Sequence, residues 1–326
     1  MSTQQQYEGP LPGHQAPPAP PAAPAPHGPQ GGWPGQQNAG HQAPAAGGYT
    51  SPIPMARTHL GHALVSEWTK IRSVRSTMWT LGVMFALVVG IGLLTAVGLS
   101  GDSYTGMPLL SGGLFGLMLG QICVITLGVL VITSEYGTGM IRTTLTACPR
   151  RGRVLLAKAV VFFVLAFVMT TLACSLTALV HSTMLSGQEA PAGASGMPGT
   201  WEDGTLVASG GEWFGATVGA GLYVALLGLL SLDIGALLRH SAGAITLMLG
   251  VVLLPLVMAL FMAGEALATV REKLIEFSPL NGLASLYRIP MAEDQDATGW
   301  PLLGGLACVT LVFLVLAYTL LNKRDV

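Results

Sequence analysis

A chain of 326 residues that is 51% hydrophobic and only 10% charged is not composed for water; soluble domains carry about 25% charged residues. The formal net charge of −1 carries no message about nucleic acid, and no nucleic-acid partner is expected. Mean hydropathy is +0.59 although the first fifty-odd residues are almost all polar, Pro or Gly, so the apolar material is concentrated beyond them and the chain reads as a polytopic membrane protein. Of the four Cys, none forms a C-x-x-C pair and three fall in apolar runs, which fits small buried hydrophobes better than metal ligands or disulfides. No metal site is expected. Arg outnumbers Lys eleven to four, and Ala and Gly are abundant, a composition that suggests a GC-rich bacterial genome.

Two domains are expected. Residues 1–56 form a low-complexity tail of Pro, Gly, Gln, Ala and His with Glu8 as its one charge. Too little apolar surface is available to offset ordering entropy, so the tail is expected to be disordered. It lacks the basic start and apolar core of a signal peptide. The second domain, residues 57–326, holds the membrane spans. Over residues 59–76, Leu60, Leu64, Trp68, Ile71 and Val74 fall at helical spacing, with Glu67, Lys70 and Arg72 between them. This predicts an amphipathic helix, either an ordinary lead-in or one lying in the interface. The interfacial reading is preferred because a span follows almost at once. Trp68 would then sit at headgroup level, with the basic residues toward anionic lipid.

Six spans are expected, at about 79–99, 114–133, 155–180, 214–238, 242–263 and 301–321. The first has 21 residues and no charge; at 1.5 Å per residue it reaches about 31 Å, enough to cross a bilayer core. The second contains Gly116 and Gly120 in a G-x-x-x-G that would allow a close helix approach. Lys158, near the start of the third, can snorkel to the cytosolic face. Residues 181–213 read as a polar outer loop. Pro255 should kink the fifth span. In the second long loop, residues 264–299, Leu267, Val270, Leu274 and Phe277 predict a short amphipathic helix on the outer interface, followed by a partly apolar, re-entrant piece. With both termini cytosolic, twelve Lys and Arg lie inside and only Arg271, Lys273 and Arg288 outside, as the positive-inside rule requires.

No P-loop, H-E-x-x-H or G-x-S-x-G is present, and no nucleophile is paired with a base, so the chain is not expected to be an enzyme. Asp233 is a candidate intramembrane polar site. It reads either as a relay or substrate contact, or as a carboxylate facing a wet cavity or neighbouring polar groups near the interface; a lone carboxylate makes a poor relay.

Residues 134–158 join spans two and three and carry five of the fifteen Lys and Arg. The stretch is either a basic topology anchor or a moving part. Glu135 and Tyr136 end span two, where an anchor would favour Lys or Arg. Gly137 and Gly139 then break the helix, and a short helical turn follows with Ile141, Arg142 and Leu145 exposed to the cytosol, stopped by Pro149. A hinge, a short rigid helix and a stop is how a span's motion is passed to a docked partner.

Glu135-Tyr136-x-x-Gly139-x-Ile141-Arg142, followed by Pro149-x-Arg151 and Ala157-Lys158, resembles the coupling region of type-2 ABC (ATP-binding cassette) exporter permeases. Ser66-Glu67-x-x-Lys70-x-Arg72 resembles the same family's N-terminal interfacial helix. The resemblance spans roughly residues 57–326. Met140 departs from it, standing where the family more often has Thr, so no hydroxyl bond is expected there. The resemblance implies a permease subunit in a bacterial plasma (inner) membrane. Its partners would be two copies of an ABC ATPase subunit, a second permease copy or a related one, and the lipid bilayer. ATP and Mg would be used by the ATPase, with no cofactor bound by this chain. Glu135, Tyr136, Gly139, Ile141, Arg142 and Arg151 would couple to the ATPase. The alternative is a non-transporting membrane scaffold or sensor subunit, which predicts no ATPase partner.

Overall fold

The computed structural model describes residues 59–101, 106–147, 150–189, 199–262, 264–289, 291 and 298–323, leaving aside the side chains of residues 142, 145 and 147. The tail, residues 1–56, therefore lies outside the described residues, as do Cys148, Pro149 and the side chain of Arg142. Among the described residues, six helices are long and apolar enough to cross a membrane. The chain is an all-α, multi-pass membrane protein.

Helix α1 (Leu60–Ser73) comes first. Val74 leaves the helical region at φ −83°, ψ 108°, and α2 (Arg75–Leu99) begins directly after it. The first span thus starts four residues before the expected 79. Helix α3 (Gly112–Gly137) runs past the expected end at 133 and takes Glu135 and Tyr136 into its last turn. After the short α4 (Met140–Ala147) comes α5 (Arg151–Leu185), whose 35 residues reach about 52 Å. That exceeds a ~30 Å bilayer core, so α5 projects beyond the expected 155–180 at both ends.

The loop after α5 is not plain coil. Strands β1 (Thr200–Glu202) and β2 (Thr205–Val207) pair antiparallel. Asp203 and Gly204 turn the hairpin with φ of 50° and 79°, the geometry an Asp-Gly dipeptide favours. Helix α6 (Gly210–Phe214), a π-helical turn (Gly215–Gly219) and α7 (Ala220–Leu238) form the fourth span. It starts at Gly210 rather than 214 because the side chain of Ser209 caps the helix by accepting from the Glu212 N–H. Helix α8 (Ser241–Phe261) contains Pro255. Helices α9 (Ala268–Glu276) and α10 (Pro279–Leu286) follow, then the last span, α11 (Trp300–Lys323). The partly apolar segment is α10: Ser278 caps it, Pro279 sits in its first turn, and seven of its eight residues are buried.

Helix α7 occupies the middle of the bundle, packed against α3, α5, α8 and α11, while α2 covers α3 and α5. Spans that are apolar all round have little amphipathic pattern, so small residues set the approach of the axes. Gly116 and Gly120 both face Val88 of α2; a Cβ on Gly116 would lie 2.6 Å from the Val88 carbonyl oxygen. Between α3 and α7 the contact is closer still, at Gly128, Gly228 and Ser231. The Ser231 hydroxyl reaches the carbonyl oxygens of Ile125, at 2.9 Å, and Gly228, at 2.6 Å. The expectation that the Cys are buried hydrophobes holds for Cys174 and fails for Cys308, which is exposed on α11.

Candidate functional site

Glu67 and Lys70 are one turn apart on α1, so they share a face, and that face turns inward. Glu135 arrives on the last turn of α3, and Lys158 lies two turns into α5. The four charges meet. Lys70 Nζ is 2.8 Å from Glu67 Oε1 and 3.1 Å from Glu135 Oε1. Lys158 Nζ is 2.7 Å from Glu67 Oε2 and 2.9 Å from Glu135 Oε1. Each ammonium therefore donates to both carboxylates, and the charges cancel. Glu67, Glu135 and Lys158 are buried, Lys158 to 3% exposure. A lone charge at such burial costs several kcal/mol; here each is compensated by two of opposite sign.

Two expectations are corrected here. Lys158 does not snorkel to the surface; it turns into the protein because two carboxylates await it. Lys70 does not face lipid either: its side chain is one-third exposed, but its ammonium points at Glu67 and Glu135. The outward face of α1 carries Trp68, 48% exposed, and Arg72. Burial by itself would lower the Lys70 pKa. The hydrogen bond and charge of Glu67, with the charge of Glu135, outweigh it, and the net shift is upward. Lys70 thus stays an ammonium, and its stabilising contribution is lost only as pH rises through that raised value.

The cluster also touches α4. Lys70 Nζ lies 3.5 Å from Thr144 Oγ1. Helix α4 begins just after Gly139, whose φ of +72° suits glycine and few other residues. Ile141 is buried beneath α4, not exposed to the cytosol as expected, while Met140 is exposed. It therefore anchors the short helix to the bundle. Helices α1 and α4 border a cavity of about 350 Å³ lined by His59, His62, Ser66, Met140, Thr143 and Thr144 among others.

The other expected residues separate from this cluster. Tyr136 is half-buried under Arg239, whose guanidinium carbon lies 5.2 Å from the ring centroid, a cation–π contact. Arg239 caps α7 in the left-handed conformation, φ 55°, so this contact ties the end of α3 to the α7–α8 turn. Arg151 stands at the start of α5, half-buried beside Tyr318 and Asn322 of α11. Asp233 makes none of these contacts. It is fully buried in α7, and among the described residues neither carboxylate oxygen has a hydrogen-bond partner. An unpartnered carboxylate there opposes folding. Asp233→Asn removes the charge at constant shape, and its thermal midpoint in detergent should equal or exceed that of the unaltered protein. A fall of several degrees would mean that the carboxylate is held by a partner.

Sequence reasoning missed Thr144 and Arg239 as site residues, and it counted Lys158 in the coupling motif but read it as a snorkelling cation and not as a member of the cluster. For Lys158 a signal existed: an ionisable residue inside an apolar run is expected to have a partner, and Glu135 lay one span-end away. Thr144 and Arg239 carried no such signal. No protein-family model matches the chain, and no curated protein matches it.

Proposed function

We propose that this chain is the permease subunit of an ATP-driven ABC exporter. Its six spans would form the substrate pathway together with a second copy or a related permease, and α4 would dock onto a separate ATPase present in two copies. The observation that carries this reading is the ion cluster. It joins α1, α3 and α5, and through Thr144 it reaches α4. A push on α4 is thereby shared among α1 and two membrane helices, α3 and α5, rather than absorbed by a loose loop, which is what force transmission from a docked motor needs.

The residues divide the task. Ile141 seats α4, Gly139 allows the turn that presents it, and Glu135 takes the load into the cluster. Tyr136 passes part of it through Arg239 to the α7–α8 turn, and Arg142 on α4 contacts the ATPase. ATP and Mg are handled by that partner alone. The Lys and Arg distribution supports a cytosolic position for α4, in a bacterial plasma membrane. Purification in mild detergent should bring down a P-loop subunit whose ATPase activity the permease stimulates. Arg142→Glu should abolish the stimulation with membrane insertion intact; unchanged stimulation would remove α4 from the coupling role. A stable protein without any nucleotide-binding partner would favour the scaffold or sensor reading.

A further inference from the structure

The start of α5 and the last turns of α11 border a polar groove of about 520 Å³. The two helices touch here: a Cβ on Gly152 would fall on the ring of Tyr318. Around the contact lie Arg150, Arg151, Arg153, Leu156, Tyr318 and Asn322. Three guanidinium groups, a phenol and an amide thus line one groove. Arg150 is exposed, and Arg151 and Arg153 are half-buried. Farther along both helices, toward the middle of the spans, the outward side chains are apolar: Val160 and Val164 on α5, Leu311 and Val315 on α11. A cationic mouth therefore stands at the head of two exposed apolar stripes.

That order of chemistry matches one kind of molecule. An acidic peptide would match the guanidinium groups but leave the stripes uncovered. A phospholipid with an anionic headgroup matches both parts, with its phosphate among the arginines and its acyl chains along the helices. We propose that this groove is a binding site for an anionic phospholipid of the phosphatidylglycerol kind, held by Arg150 and Arg153 with Tyr318 and Asn322. The proposal does not depend on whether the chain works with an ATPase.

The test is native mass spectrometry on the delipidated full-length protein, titrated with phosphatidylglycerol or phosphatidylcholine of identical acyl chains. The unaltered protein should bind phosphatidylglycerol about tenfold or more tightly over phosphatidylcholine, a preference that weakens as salt is raised. The double variant Arg150→Gln/Arg153→Gln, eluting as a single folded species, should lose the preference. Arg271→Gln on α9 should keep it. Equal binding of the two lipids by the unaltered protein overturns the proposal without any variant. So does a preference that survives in the folded double variant. Full displacement by millimolar inorganic phosphate would assign the groove to a free anion. A preference that appears only after residues 324–326 are deleted would assign it to the chain's own C-terminus. Either result also overturns the lipid site.

Discussion

Lys158→Met is expected to cost roughly 3–5 kcal/mol of stability, the usual result of removing one partner from a buried ion pair. Methionine fills nearly the same volume, so the loss comes from charge and not from a cavity. Glu67 and Glu135 would remain buried, with Lys70 as their one remaining cation at the cluster. Adding Glu135→Gln should recover much of the loss, since the buried charges would again balance. The measurement is the thermal midpoint of the detergent-solubilised protein for both single variants and the double variant. An unchanged midpoint in Lys158→Met, or a double variant no better than the worse single one, would show that the four charges do not act as a unit. The same double variant separates stability from coupling. It should fold, yet it lacks the ammonium that joins α5 to α1 and α3, so on the proposed permease function ATPase stimulation should fall even where the midpoint is restored.

Gly128→Val is expected to be damaging for a steric reason. A Cβ at this position would fall on the carbonyl oxygen of Gly228 and the hydroxyl of Ser231, far inside contact distance. One obstacle is backbone, so no change of rotamer relieves it, and α3 and α7 must separate. Overpacking a closed contact costs about 1–3 kcal/mol and sometimes more; here separation would also strain the bond from Ser231 to the Ile125 carbonyl oxygen. Gly90→Val on α2 is the control, because nothing lies within 4 Å of a Cβ there. Gly128→Val should yield little monodisperse protein after size exclusion, while Gly90→Val behaves as the parent does. Equal yields would mean that α3 and α7 are not in such close contact.

Several features were legible from residue order. The short helix after span two was marked by Gly137, Gly139 and the helical spacing that follows, and α4 forms there. The partly apolar segment after Ser278 is α10, buried within the bundle. The hairpin at Thr200 was missed although Asp203-Gly204 offered a turn signal. Its strands are three residues each, too short for alternation to register. Ile141 was placed on the exposed side of α4 because eight residues do not define a face until something packs against them. For Asp233 the distance from the span's end was readable, and the missing hydrogen bonds to its carboxylate among the described residues were not.

The number and rough positions of the spans and the glycine turn before α4 were determined by the sequence alone. Each is local: about twenty apolar residues cross a bilayer whatever lies beside them, and a glycine turns the chain where it stands. Only the tertiary structure decided that Glu67, Glu135, Lys70 and Lys158 neutralise one another. Glu135 lies 65 residues from Lys70, and Glu67 lies 91 residues from Lys158. Spans that are apolar on every side do not say which side faces inward. That choice is made by the close approach of glycine and serine surfaces, and the charges then find their partners at the end of the bundle so formed.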